Sequence, residues 1–226
     1  MQIMKQLSIK GLFLPAIALC SLLLSGNAAH AALVNYSFTG GVSDLNGALL
    51  PTVNLLSPVS GTFQFDNATG GVGGNYTGAV TNMSLNIGGY TSSFAPGANA
   101  VTIFNQIDLG AGIIGDRWKL VTEATGGPIN GYSPFRFDLK LDQEGGAAFN
   151  NVDLQSPPSF DTLTGSRWRL MFENADGNLV RVQGALNSLS LTAVPLPAAV
   201  ILFGAGLISL VGLGAGGLRN LRWPQA

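Results

Sequence analysis

Cysteine and histidine are all but missing from this chain of 226 residues: Cys20 and His30 are the only ones. A lone cysteine cannot close an intrachain disulfide, so stability has to come from burial and backbone pairing. Both residues fall in the first 31 positions, which leaves everything beyond them without Ser-His-Asp or Cys-His catalysis. Zinc sites of the usual His and Cys composition are excluded on the same ground. Charge is sparse as well, at 10% of residues. Long apolar runs are confined to the two ends, and those ends carry the clearest signals.

At the N-terminus, Lys5 and Lys10 precede an apolar run from Gly11 to Leu24, and small residues then lead to Ala29-His30-Ala31. That order predicts a signal peptide over residues 1–31, cut by signal peptidase after Ala31 through the small side chains of Ala29 and Ala31. The apolar run is short for a membrane span and is broken by Pro15. Leu19 stands where a lipobox requires a small residue, which argues against lipidation of Cys20.

At the C-terminus, Val194-Pro195-Leu196-Pro197 leads into an uncharged stretch from Ala198 to Leu218, followed by Arg219 and Arg222. The stretch is about 21 residues, close to the ~20 that cross a bilayer core as a helix. A transmembrane helix is therefore expected at about 196–218. Arg219 and Arg222 place its C-terminal end in the cytoplasm and the preceding residues outside. Motif, span and basic end together resemble the C-terminal sorting signal of the bacterial PEP-CTERM family, in its VPLPA variant, over residues 194–222. Leu196 stands where the founding motif has Glu. The resemblance implies recognition and cleavage by a membrane-embedded enzyme of the exosortase type, and a setting of surface display, exopolysaccharide and biofilm. A plain tail anchor is the alternative.

Between the signals, residues 32–193 have the length of one domain. Removing the ends takes four of the eleven basic residues and none of the twelve acidic ones, leaving seven against twelve, a net charge of −5. An acidic body argues against a nucleic-acid partner. Its apolar residues alternate, as half-buried strands require. Val34, Tyr36 and Phe38 form one such series, Phe63 and Phe65 another, and Met83, Leu85 and Ile87 a third. Phe135, Phe137, Leu139 and Leu141 share one expected face, with Arg136, Asp138 and Lys140 on the other. Arg117-Trp118-Lys119-Leu120 is echoed by Arg167-Trp168-Arg169-Leu170, each placing Trp on the apolar side. Asp176-Gly177 marks a hairpin turn before Leu179 to Gln183, and a last strand is expected from Leu186 to Ala193, with Leu189 and Leu191 on one face and Ser188, Ser190 and Thr192 on the other.

About eight or nine short strands, separated by Gly-rich and Pro-rich turns, predict an all-β, antiparallel sandwich or jelly-roll-like domain. An open barrel is the alternative, and Leu45 to Leu50 could form a short helix.

Few candidates for chemistry remain. Asp142 and Glu144, with Asp138 on the same strand, are the acidic group nearest to a glycosidase pair, yet strand-end carboxylates are ordinarily solvated. Asp66, Asn67, Asn150, Asn151 and Asp153 offer oxygen ligands for calcium, and the same residues are ordinary turn formers. Trp118 and Trp168 either fill the core or stack on sugars. Two functional classes follow. One is a non-enzymatic surface or matrix protein, exported, anchored and then sorted, with extracellular polysaccharide as its setting. The other is an exported lectin or glycan-active enzyme.

Overall fold

The computed structural model describes residues 33–192. The expected signal peptide at 1–31 and the sorting segment at 194–222 lie outside them. The described chain is all-β, in the order β1 (Leu33–Gly41), β2 (Asp44–Leu45), β3 (Pro58–Asp66), β4 (Asn75–Thr77), β5 (Val80–Ile87), β6 (Tyr90–Phe94), β7 (Ala100–Asp108), β8 (Ile114–Gly126), β9 (Ser133–Glu144), β10 (Gly165–Glu173), β11 (Leu179–Gly184) and β12 (Leu186–Thr192). Every pairing between them is antiparallel. The strands are more numerous than the alternation suggests, because β2, β4 and β6 are too short to show a period. The expected helix at Leu45 to Leu50 is a 3-10 turn at Gly47–Leu49, with the Asn46 side chain accepting from the Ala48 amide.

The sheet curls where β8, its longest strand, changes partner along its length. β8 pairs with β7 and β9 over most of its extent and hands its last residues, Ala124 to Gly126, to β6. β1 lies between β12 and β3, and its continuation β2 pairs with β11. Two halves of the sheet thereby face each other, and the alternating apolar residues meet between them. Phe38 on β1 stacks on Phe137 of β9 at 6.2 Å, and Phe63 and Phe65 of β3 flank Trp118 of β8 at 5.6 and 5.7 Å.

Trp118, Leu120, Phe137, Leu139, Trp168 and Leu170 have no exposed surface, so the two Arg-Trp segments supply core and not a sugar platform. Each indole N–H is satisfied, Trp118 by the carbonyl of Gln155 and Trp168 by that of Gly41. This is how a buried tryptophan avoids the cost of an unpaired donor.

Two expectations about strand faces are corrected. Phe135 does not share the buried face of Phe137: the β9–β10 register passes from Met171↔Arg136 to Phe172↔Pro134, so a bulge at Phe135 carries its ring to the outer side. Leu191 is 64% exposed near the end of β12, although Leu189 packs on the core.

Candidate functional site

The sorting motif Val194, Pro195, Leu196 and Pro197, the cleavage residues Ala29 and Ala31, and the basic end Arg219 and Arg222 all lie outside the described residues. Among the described residues, no helix is long and apolar enough to cross a membrane.

The acidic candidates are held by cations. Asp138 is almost wholly buried, receives Arg169 Nε at 2.7 Å and Nη2 at 2.6 Å, and receives Arg167 Nη2 at 3.2 Å. Asp142 accepts from Arg117 Nε at 2.6 Å and Lys140 Nζ at 3.0 Å. Burial pushes the Asp142 carboxyl up, but hydrogen bonds and charge from Arg117 and Lys140 outweigh it and hold the group below its ordinary value. Glu144 is exposed at the strand end, two residues along the same strand. Asp138 and Asp142 thus stand on one sheet face, side by side with their counter-ions, and do not oppose each other across a cleft.

The oxygen-rich turns are used by their own backbone. Asp66 Oδ1 accepts from the Ala68 amide at 2.9 Å, and Asn151 Oδ1 accepts from the Asp153 amide at 2.9 Å while its Nδ2 donates to Asp153 Oδ2. Asn67 and Asn150 are exposed. Among the described residues, no group of three or more His, Cys, Asp or Glu side chains converges as a metal site. One buried carboxylate escaped the sequence reading. Asp116 Oδ1 accepts from the Gln106 amide, and Oδ2 accepts from the amides of Ala148 and Phe149. It ties the bulge of β7 to the loop after β9.

The charge pattern of the outer sheet face is the most distinctive surface feature. All seven basic residues of the 32–193 segment fall on it: Arg117 and Lys119 on β8, Arg136 and Lys140 on β9, Arg167 and Arg169 on β10, and Arg181 on β11. The cause is the alternation that buries Trp118, Leu120, Leu139 and Trp168, since each neighbour in sequence must point the other way. Six of these cations, on β8 to β10, enclose three carboxylates, Glu123, Asp138 and Asp142, a local charge of +3 within a segment whose total is −5. Glu144 and Glu173 stand beyond them at the strand ends.

Strand register sorts these charges into rows. Lys119 is paired with Lys140, and Lys140 with Arg167, so three cations lie side by side with no carboxylate in the row. Like charges directly across a sheet repel. Burial above all, with the charges of Arg136, Arg167 and Arg169 adding to it, holds the Lys119 ammonium below its ordinary value against the opposing pull of Asp138. The same row continues through Thr102 of β7 to Asn75 of β4. Next to it, Ala100, Val121 and Phe135 line a trough of about 420 Å³ beside Arg136. Lys119 and Arg136 form no ion pair among the described residues.

No protein-family model, no curated protein and no solved structure matches this chain.

Proposed function

We propose that this is an exported bacterial surface or matrix protein, non-enzymatic, whose β domain is held outside the inner membrane by a C-terminal helix and then released by an exosortase-type enzyme. In this reading, residues 1–31 are the signal peptide, 194–222 the PEP-CTERM-like sorting segment, and the body an antiparallel β-sandwich of the jelly-roll kind.

The observation that carries the reading is the fit between the fold and the two terminal signals. β1 opens at Leu33, two residues after Ala31, and β12 ends at Thr192, two residues before Val194. Both ends belong to one ladder, with Asn35 opposite Thr192. Trimming at either site would leave every described strand and core side chain in place. Proline resists helix formation and disfavours helical backbone at the residue before it, so an extended motif at Val194 to Pro197, accessible to a processing enzyme, is what this reading expects. The non-enzymatic part of the reading is supported by Asp138 and Asp142, whose oxygens are occupied by Arg and Lys.

Fractionation of the native host tests the proposal. The wild-type domain is expected in the medium or outer layers. Changing Pro195 and Pro197 together to Ala is expected to leave it in the inner membrane. Release that continued unchanged in the double variant would reduce the tail to a plain anchor.

A further inference from the structure

We infer that the outer face of β8, β9 and β10 binds an acidic polysaccharide, along the row Asn75, Thr102, Lys119, Lys140 and Arg167. The choice of a glycan as the polyanion rests on the exported, matrix-associated reading above; the cationic face itself does not.

Concentration is the first argument. A segment with a net charge of −5 gathers every basic side chain it has on one sheet face, and two of them, Lys119 and Arg136, have no carboxylate partner among the described residues. In the row, Lys140 is paired with Asp142 and Arg167 with Asp138, both of which stand off it, while Lys119 beside them has no carboxylate of its own among the described residues. An anion laid along the row would supply one, which is the complementarity expected of a binding face.

Spacing identifies the kind of anion. Neighbouring strands lie about 4.8 Å apart, so the row offers one cation per ~4.8 Å across β8, β9 and β10. That is close to the length of one sugar ring, and it suits a chain with one carboxylate per sugar. Duplex DNA carries a charge every ~1.7 Å, far denser than a local charge of +3 can match. Single-stranded nucleic acid is bound on aromatic platforms, and no residue of this row is aromatic. Asn75 and Thr102 extend the row with hydroxyl and amide groups, which are already bonded to each other at 3.2 Å and are partners for sugar hydroxyls. The Arg167 side chain is 35% exposed and that of Lys140 27%, so both are partly open to solvent.

The test measures binding of the full chain, in non-ionic detergent, to immobilised polygalacturonate, with neutral dextran and single- and double-stranded DNA as comparison probes. Salt-sensitive binding to polygalacturonate and none to dextran is expected. Lys119→Gln is expected to weaken it about tenfold, which corresponds to about 1.4 kcal/mol, with an unchanged circular dichroism spectrum. Thr102→Asp, which places a negative charge in the same row, is the second variant should the first fail to fold, and the same loss is expected. Arg181→Gln, off the row, is expected to bind as the wild type does. Absence of polygalacturonate binding, tighter binding to DNA, or full binding by both row variants would overturn the inference. So would salt-sensitive self-association of the chain that accounted for the signal. Because the assay uses purified protein, each of these failures is separate from a failure of the export reading, which fractionation decides.

Discussion

The indole N–H of Trp168 donates to the carbonyl oxygen of Gly41 across 3.1 Å, tying the centre of β10 to the point where the first strand leaves one half of the sheet for the other. Two glycines make room for that contact. A Cβ on Gly40 would sit 3.1 Å from the indole nitrogen, and a Cβ on Gly184 would collide with the Gly41 carbonyl itself. The close approach of β10 to the end of β1 therefore combines one large side chain with the absence of two small ones.

Trp168→Ala removes a fully buried aromatic together with its hydrogen bond. A loss of about 3–5 kcal/mol is expected, read as a lower denaturation midpoint. An unchanged midpoint would contradict the placement of Trp168 in the core.

Gly184→Ala puts a methyl group where the Gly41 carbonyl lies and is expected to cost about 1–3 kcal/mol, the range for overpacking. Gly41→Ala is the matched control. Nothing lies within 4 Å of its would-be Cβ, so a change within about 0.5 kcal/mol is expected there. Equal effects of the two in the same melts would show that the close approach is not what matters.

Alternation made the core legible, because Trp118, Leu120, Phe137, Leu139, Trp168 and Leu170 each flank residues that point outward. Phe135 breaks the alternation for a local reason: a bulge beside Pro134 shifts the period by one, and proline, which strands admit at edges, starts and bulges alike, does not by itself say which applies. The cationic row was not legible at all. The echo between Arg117-Trp118-Lys119 and Arg167-Trp168-Arg169 is visible in sequence, but that both segments flank β9, and that Lys119, Lys140 and Arg167 share one row, is decided by long-range register. Asp116 was missed likewise, since its partners arrive from two separate loops.

Lys119→Gln separates folding from binding. The folded lysine is held below its ordinary value of 10.5, so at neutral pH the unfolded chain holds that proton more tightly and the charge opposes folding. Removing it is expected to leave stability unchanged or raise it by about 0.2–1 kcal/mol, the scale of a cross-strand like-charge pair. A clear drop in melting temperature would show that Lys119 is a structural residue.

Asp142 sets an acid dependence. Its folded value lies below the ordinary 3.8, so its contribution to stability is present above that value and is lost as pH falls through the lower, folded one. The melting temperature is expected to fall on acidification below pH 3.8, and less steeply in Asp142→Asn, which begins from a lower plateau. Parallel profiles for the two proteins would remove Asp142 from the account.

Intact-mass analysis of the protein recovered from the medium and envelope of its native host addresses export and sorting together. A polypeptide beginning at Ala32 and ending within or near Val194 to Pro197, without Arg219 and Arg222, is the expected product. A mature protein that still began at Met1, or whose mass still included Arg222, would contradict it.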